Sequence, residues 1–523
     1  MSKKEFNAKG NGMIKRGRNP REFKARSRYN LDEVKSNDVN WYNKYAENYR
    51  TASQVPVWFE INGSPVPLYN CVPEYLVSSQ TKERPLPGIM AVEYVPGPGI
   101  AQTNTDAINK AFSQIMAEIY SKTAADALKF QQADLAMLLT SLSTTVGLIA
   151  EAKRALETVD FWTTRSVNYP KALVTAMGFN WQDISRYRAN YTTRLNNLIH
   201  QFNNMHLPDF LDIYHRFYSL GHNVYIDEDS QFAQIIFFKM KGFYTYDDQT
   251  FKCTWNEISG VYNMDVFLDL IERTLVAWET SSDLYNIKGC LIRAYSDSTV
   301  LSISDASVND MLSPVLDRYM MLQLMNADII DYTNIQPSSL EITQNVQKNV
   351  LIWQPTSIQY STSTEVNGFK LGSSHYLRAY DETLSADDNV EMTRLCVTWQ
   401  RNSIAGTNDQ FKDSITSMNT EFVCGVNIYA CNSSSTNDFA TLLCSIKSNA
   451  DLITVSNADK IAYIMALSPF RYIPRMWLYN GSDESFTTLG DTYNYTTIGA
   501  EDLFSLNTMC ALSMWKPLGP KFN

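Results

Sequence analysis

Ten lysine and arginine side chains fall within the first 28 residues beside only two carboxylates, so this segment, the arm, carries a net charge of +8. The ten are Lys3, Lys4, Lys9, Lys15, Arg16, Arg18, Arg21, Lys24, Arg26 and Arg28. Removing the arm from the totals of 45 basic and 55 acidic residues leaves 35 and 53, so residues 29–523 carry a net charge of −18. Cations of this kind neutralise nucleic-acid phosphates without reading bases. The arm therefore predicts nucleic-acid binding that is indifferent to sequence and sensitive to salt.

The arm is not expected to fold by itself. Gly10, Gly12, Gly17 and Pro20 interrupt any helix, and its few apolar residues follow neither the helical nor the strand period. No zinc-finger spacing, RRM signature or helix-turn-helix pattern surrounds it. We expect the arm to stay disordered until it binds a polyanion. The alternative is a solvated terminus that merely aids solubility.

The other residue groups that could do chemistry do not form a known site. Four of the five histidines are close in sequence, at spacings of six, nine and seven: His200, His206, His215 and His222. No pair has the spacing of helical metal ligands, so separate structural roles are expected. Tyr246-Asp247-Asp248 resembles the aspartate pair of polymerases but lacks a companion carboxylate, which favours a turn. Gly97-Pro98-Gly99 is a turn without a phosphate-binding signature. We predict no catalytic residue, no metal site and no cofactor.

Cysteine usage and hydropathy bound the class of protein. Eight cysteines are scattered without paired spacing and no apolar leader precedes them, which indicates reduced thiols in a cytosolic setting. The longest uncharged stretch of apolar character, Leu135 to Ala150, has 16 residues and includes five Ser or Thr. It is too short and polar for a bilayer span, so we predict a buried helix.

The segment from Tyr29 to Arg50, the tether, must connect the arm to a folded body. Trp41 and Tyr42 lie side by side among polar residues, and such rings gain little unless they are buried. We therefore predict that Trp41 and Tyr42 anchor the tether on the inner wall of the main domain. From Val55 to Gly99 the chain is dense in proline, with Ile89 to Val95 extended, which favours wrapping structure rather than a core.

Helical periodicity dominates the next hundred residues, and strands appear later. Apolar residues spaced by three and four predict helices beginning near Asp106, across Leu135–Ile149 and around Leu195–Phe202. Further elements are expected as a strand at 233–240, a helix at 265–278, and strands at 349–353, 393–400 and 421–430. From about Pro337 the chain is rich in Ser, Thr, Asn and Val, which suggests a second, β-containing domain with a core of its own.

Three segments together resemble the capsid proteins of picobirnaviruses. They are Ser36-Asn37-Asp38-Val39-Asn40-Trp41-Tyr42, then Leu86-Pro87-Gly88-Ile89-Met90 running to Val95-Pro96, and Met514-Trp515-Lys516-Pro517-Leu518. The resemblance rests on the order and placement of these motifs in the first hundred residues and at the extreme C-terminus. The middle of the chain adds helical content without a signature.

The resemblance implies a capsid whose building block is a symmetric homodimer that closes an icosahedral shell around double-stranded RNA. It implies an α+β fold with a mainly helical shell domain, a smaller β-containing protruding domain and the disordered arm. The boundaries expected are 1–45 for arm and tether, 46–336 and 468–523 for the shell domain, and 337–467 for the protruding domain. The protein would be a virion component assembled in the host cytoplasm. No membrane or receptor contact is assigned.

Two other classes remain open at this point. A nucleoprotein that coats RNA without closing a shell would need a basic groove in the folded body, whereas this body is acidic. A polymerase or nuclease would need the carboxylate set that is missing. Few charges and many aromatic residues fit a protein with extensive protein–protein contacts.

Overall fold

The structure is a computed structural model, and it describes most of the chain beyond the arm. The described residues are 29–33, 36–55, 88–123, 130–160, 169–227, 229, 233–296, 299–360, 374–378, 384–405, 410–431, 439–447, 477–480, 485–488 and 495–516. All ten basic residues of the arm lie outside these ranges, as does most of the proline-rich segment.

Helices and strands are mixed along the described chain. The α-helices are α1 (Ala46–Gln54), α2 (Ala107–Lys122), α3 (Gln132–Glu157), α4 (Tyr169–Ala176), α5 (Trp181–Asn203), α6 (Asp212–His222), α7 (Met264–Glu279), α8 (Ser282–Ala294), α9 (Arg318–Met325), α10 (Pro337–Leu340), α11 (Ala386–Thr393) and α12 (Ala500–Trp515). The strands are β1 (Tyr29–Asn30), β2 (Ile89–Pro96), β3 (Tyr225–Ile226), β4 (Ile235–Met240), β5 (Gly242–Asp247), β6 (Lys252–Glu257), β7 (Leu301–Ser302), β8 (Val315–Leu316), β9 (Thr343–Asn345), β10 (Val350–Ile352), β11 (Thr356–Tyr360), β12 (Ser374–Arg378), β13 (Thr398–Ser403), β14 (Gln410–Ser417), β15 (Glu421–Cys431), β16 (Ala440–Ile446), β17 (Trp477–Asn480), β18 (Ser485–Thr488) and β19 (Tyr495–Gly499). This arrangement confirms the α+β fold class.

A six-stranded sheet in the order β16-β15-β2-β4-β3-β8 lies at the centre. β2 pairs antiparallel with β15 on one side and parallel with β4 on the other. Its sequence, IMAVEYVP, is almost continuously apolar, and every residue except Glu93 is buried. Such a run is typical of a strand covered on both faces. The expectation that this part of the proline-rich segment only wraps a core was therefore wrong.

Helix α3 is the core helix, and it packs against α6, α7 and β5. Its apolar composition would suit a membrane span, but the helix is almost wholly buried inside the protein, as predicted. The predicted helix stops at Ala150, whereas α3 continues to Glu157 and buries Glu151 and Arg154 in its last turns. Glu151 accepts a hydrogen bond from the Met240 amide at 2.6 Å, and Arg154 donates to the Leu220 carbonyl at 3.2 Å. Charged residues whose side chains are hydrogen-bonded can thus continue a buried helix.

Glycines allow α3 and α6 to cross closely. A β-carbon at Gly221 on α6 would lie 2.7 Å from the Gly147 carbonyl oxygen and 2.8 Å from the Ala150 side chain. Both helices therefore approach backbone to backbone, which places α6 and its Arg216 in the middle of the molecule.

The other predicted elements are largely found, with one clear exception. The helix at 264–279 and the strands at 235–240, 350–352 and 421–431 match their predictions within two residues. The strand predicted at 393–400 was placed wrongly, because α11 ends at Thr393 and β13 begins at Thr398. Ser385 and Asp388 form a capping box at the start of α11, a local signal that the strand assignment overlooked.

The described part of 337–467 shares its core with the rest of the chain. Val390, Phe422 and Val426 belong to the same buried cluster as the helices of the first half, and β15 pairs with β2. The domain boundaries stay a prediction. The described residues of 337–447, however, do not close a core of their own. Residues 448–467 lie outside the described ranges.

Candidate functional site: docking of the N-terminal tether

The first described residues fix the point at which the arm joins the body. Strand β1 pairs in parallel with β7, so that Tyr29 is opposite Leu301 and Asn30 is opposite Ser302. The Asn30 amide group donates to the Ser304 hydroxyl at 2.5 Å. These contacts lie directly after the arm and hold its root against residues 301–304.

Asp32 is the polar centre of this attachment. Its carboxylate accepts hydrogen bonds from the Lys153 ammonium and the Tyr218 hydroxyl, and from the Ser304 amide at 2.6 Å. Burial acts to raise the pKa of Asp32, but Lys153 and the hydrogen bonds outweigh it and leave that pKa below its ordinary value. Asp32 is therefore held as a carboxylate that binds the tether to α3 and α6.

Trp41 and Tyr42 form the next attachment. Trp41 is 5% exposed and Tyr42 is fully buried. The Trp41 ring lies edge-on to Tyr42 at 6.1 Å and beside His215 of α6 at 6.0 Å, measured between ring centroids. Asp38 caps the short 3₁₀ helix that carries Trp41 by accepting from the Asn40 amide. Both predicted anchor residues are thus packed into the body.

Beneath Tyr42 lies a buried ion cluster, defined here as Arg216, Asp317, Glu391, Arg394 and Glu421. Arg216 donates through Nε to Glu421 at 3.0 Å, and Arg394 donates to the other Glu421 oxygen at 3.1 Å. Both arginines and Glu421 have no exposed side-chain surface. Burial acts to raise the pKa of Glu421, but the two guanidinium groups lower it below the ordinary value. The pair of cations therefore keeps Glu421 ionised in the interior.

The tether completes this cluster. Arg216 donates through Nη1 to the Tyr42 hydroxyl at 3.1 Å and to the Asn37 side-chain oxygen at 3.2 Å. The Asn37 amide group donates to Glu391 at 2.7 Å, and the Asn37 backbone donates to Asp317 at 2.7 Å. Burial raises the pKa of Glu391 to about 7. Without Asn37 and Tyr42, these buried charges would lose partners that the rest of the cluster does not replace.

Arg394 depends on Tyr42 in a second way. Its guanidinium carbon lies 4.4 Å from the centre of the Tyr42 ring. Its Nη2 donates to Thr420 and Glu421, whereas Nε and Nη1 are buried without a hydrogen-bond partner. The ring face therefore supplies the remaining stabilisation of this cation.

The C-terminal helix α12 covers the other side of the tether. The Lys44 amide donates to the Ser513 hydroxyl at 3.3 Å, and the Lys516 ammonium lies 3.8 Å from the centre of the Tyr45 ring. Asn48 of α1 donates to the Cys510 sulfur at 3.4 Å and to the Tyr42 carbonyl at 3.1 Å. Both ends of the described chain thus pack together.

The three sequence motifs behind the family resemblance meet at this place. Pro96 at the end of β2 is opposite Glu421 of the ion cluster. Trp515 donates through its indole N–H to the Pro98 carbonyl at 2.8 Å. Gly97 lies between them, where a β-carbon would overlap the ring of Trp353. Segments separated by hundreds of residues therefore form one docking site for the tether.

The remaining candidate groups have separate structural roles. His200 pairs with Asp305, His206 with the Tyr295 carbonyl, His215 with Asp212, and His222 with Glu157. Across the described residues, no three His, Cys, Asp or Glu side chains form a group that could hold a metal. Asp247 accepts from the Gln249 amide and the Thr250 hydroxyl in the tight turn between β5 and β6, so the turn interpretation was right.

Sequence reasoning missed the ion cluster. The most widely separated pair, Arg216 and Glu421, is 205 residues apart in sequence, and no periodic pattern connects the members of the cluster. A weak signal existed, because Arg216 interrupts the aromatic and apolar run of α6 and Glu421 precedes the apolar run of β15. A charge inside such a run indicates a buried partner.

The described body thus has one main core, and its N-terminal tether is docked over a buried ion cluster. The family model described as picobirnavirus capsid protein matches residues 41–441, so the chain belongs to this family. The matched range begins at Trp41, the first of the two anchor residues.

Two relatives support the assignment along nearly the whole chain. The capsid protein precursor of human picobirnavirus, strain Human/Thailand/Hy005102/-, is 22% identical over 545 residues, which cover 98% of this chain and 96% of the relative. The X-ray crystallographic structure of the picobirnavirus capsid superposes with a TM-score of 0.72 at 18% identity. That match covers 93% of this chain and 99% of the solved chain, and it shows that the two share a fold.

Family membership gives the general role. The protein is a structural protein of the viral capsid, and hence a component of the virion that assembles with copies of itself into a shell. The resemblance identified from the three motifs is thereby confirmed.

Proposed function

We propose that this capsid protein forms a homodimer, that the dimers close an icosahedral shell around double-stranded RNA, and that the arm packages the RNA without sequence preference. The single observation that carries the packaging role is the separation of charge, +8 on residues 1–28 and −18 on residues 29–523. An acidic body does not collect RNA on its outer surface, whereas a basic arm inside the shell does.

Because the tether is attached to the body, each arm in this proposal starts from a defined position on its subunit. Asp32 and β1 hold its root, while the ion cluster and α12 hold the residues that follow. Twenty-eight residues reach about 95 Å when fully extended. Arms that start at equivalent points on many copies would therefore overlap inside a shell and contact the same RNA. In this proposal Trp41 and Tyr42 lie on the inner wall.

The packaging role is tested by removing residues 2–28. We expect the truncated protein to fold and dimerise, because the deletion removes no residue of the described core, but to take up no RNA. A full-length control in which all ten arm cations are changed to Gln keeps the length of the arm and removes its charge. It should behave like the deletion.

Salt dependence gives the quantitative form of this test. If most of the ten cations lie near phosphates, log K against log salt should have a slope of roughly −7 for single strands or −9 for a duplex. Both variants should flatten that slope toward zero. A deletion variant that still binds RNA with a steep slope would show that a basic surface in the folded body does the packaging.

The same preparations distinguish the shell from the coating nucleoprotein. Negative-stain microscopy of the purified chain should show closed particles, whereas RNA-coated filaments would favour the nucleoprotein. The net negative charge of residues 29–523 supports the shell.

We also propose that part of residues 337–467 protrudes from the shell, although its described strands share the main core. Strands β15 and β16 are joined through residues 432–438, which lie outside the described ranges. A short tag inserted between Ser433 and Ser435 should leave assembly intact and bind antibody on whole particles. Loss of assembly would place this connection in a subunit contact instead.

Assembly in the reducing cytoplasm of the host agrees with the cysteines. None of the seven described cysteines forms a disulfide with another described cysteine, and six of the seven are buried. Burial raises the pKa of Cys431 and of Cys510 to about 11, so these thiols are unreactive at neutral pH.

A further inference from the structure

Helices α7 and α8 form a hairpin at the surface, and the outward face of α8 is unusually apolar. Leu284, Ile287 and Leu291 of α8 are buried against the body. On the opposite face Tyr285 is 69% exposed and Ile292 is 51% exposed. Together with Gly289 they follow the spacing i, i+4, i+7, which places all three on one stripe of the helix. The subunit alone leaves this stripe uncovered.

Gly289 has no explanation within the subunit. Its backbone does not require the left-handed region, and a β-carbon at this position would meet nothing within 4 Å. Glycine weakens a helix interior relative to alanine, so the folded subunit gains nothing from it. A glycine between two exposed apolar side chains lets another helix approach the backbone closely.

Charge identifies a complementary surface on the same chain. The stripe on α8 is flanked by Lys288 and Arg293. The outward face of α7 carries Val266, 49% exposed, and Val276, 42% exposed. These valines stand among four exposed carboxylates, which are Asp265, Asp269, Glu272 and Glu279.

The acidic face of α7 keeps a net negative charge in the folded subunit. Arg194 of α5 binds Asp265, Asp269 and Glu272, so one cation serves three carboxylates. Arg273 turns toward β5 and β6, where it lies 5.4 Å from the Phe243 ring centre and donates to Asn256. The α7 face therefore complements the basic flanks of α8.

We propose that α8 of one copy packs its stripe of Tyr285, Gly289 and Ile292 on the outward face of α7 in a second copy. The contact joins two apolar surfaces, brings Lys288 and Arg293 to the α7 carboxylates, and uses Gly289 as the point of closest approach. This contact rests on the proposed closed shell, and it would be one of the surfaces through which the subunits of that shell meet.

Substitution of Gly289 tests the close approach. In G289A the unassembled chain should melt higher than wild type, because alanine favours the helix and fills open space, while particle yield falls. In G289L the particle yield should fall at least tenfold with an unchanged fold by circular dichroism. Ala189 is an exposed small residue on α5, so A189L is the matched control and should assemble normally.

A charge swap tests the assignment of the partner surface. The variant K288E/R293E should lose assembly, because it sets acidic flanks against the acidic α7 face. Adding E272K and E279K to the same chain reverses both surfaces and should restore particles, and Arg194 keeps two of its three carboxylates. The melting temperature of each unassembled variant checks that the chain is folded.

The outcomes separate this contact from the proposed function. Wild-type protein that forms no closed particle would overturn the proposed function. Wild-type particles together with normal assembly of G289L would overturn the α8 contact alone. Loss of assembly in K288E/R293E without recovery in the fourfold variant would overturn α7 as the surface that receives α8.

Discussion

The strongest test of the tether site is the change Tyr42→Ala. Removing a fully buried aromatic ring costs about 3–5 kcal/mol, and the loss of a desolvated cation–π contact adds about 2 kcal/mol. These contributions overlap, because the ring that fills the space also faces Arg394 at 4.4 Å. We expect the docked tether to be destabilised by about 5 kcal/mol.

Tyr42→Phe is the matched control. It keeps the ring against Arg394 and removes the hydroxyl that accepts from Arg216 at 3.1 Å and donates to Asn37. Arg216 retains Asn37, Gln323 and Glu421 as acceptors. The cost should therefore be close to that of one or two hydrogen bonds, about 1.5 kcal/mol.

Amide hydrogen exchange of residues 36–55 measures this effect, since the tether can open without unfolding the body. At a factor of ten per 1.4 kcal/mol, Tyr42→Ala should speed exchange of these amides by about 10³–10⁴ and Tyr42→Phe by about tenfold. Exchange in α5, which takes part in none of the tether contacts described above, should stay as in wild type. Equal exchange in the two variants would refute the role of the ring as the partner of Arg394.

Further predictions concern pH and the packing around the tether. Burial raises the pKa of Glu391 from its ordinary 4.5 to about 7, so between these pH values the folded chain holds a proton that the unfolded chain releases. The free energy of unfolding should therefore fall as pH rises from about 4.5 to about 7. In E391Q the urea midpoint should depend less on pH across this window. The stability contribution of Asp32 has the opposite pH dependence, because burial acts to raise its pKa but Lys153 and the hydrogen bonds lower it overall. The stability that Asp32 contributes should be lost as pH falls below about 3.8, and this loss should be absent in D32N. G97A should lower the thermal midpoint, at a cost of about 1–3 kcal/mol, because its β-carbon overlaps the Trp353 ring. W515F should cost about 1 kcal/mol through the lost hydrogen bond to Pro98, and an unchanged urea midpoint would contradict that role.

Local patterns in the sequence were enough to predict much of the fold. The helices α2, α5 and α7 bury the apolar residues that their periodicity indicated, including Ile108 and Phe202. Burial of Trp41 and Tyr42 also followed from residue type alone. Periodicity and aromatic pairs report contacts that form within one element or against any apolar surface, so they require no knowledge of the partner.

Features that depend on residues far apart in the sequence could not be predicted from such local patterns. The sequence indicated the extended segment from Ile89 to Val95, and β2 spans Ile89–Pro96. Its central position could not be predicted, because it depends on pairing with β15, more than 300 residues later. The ion cluster draws its charges from α6, the N-cap of α9, α11 with its C-cap, and β15, which come together only in the folded chain. Composition past Pro337 indicated strands correctly but not that they would complete the core of the first half.

The contact between tether and α12 has a consequence for the order of events during synthesis. Ser513 and Lys516, which bind Lys44 and Tyr45, leave the ribosome more than 450 residues after their partners. Through most of translation the basic N-terminus therefore belongs to a chain without a finished docking site. Only a chain translated through α12 can seat its tether fully, so prematurely terminated products should carry a loosely held arm and be poorly suited to enter a particle.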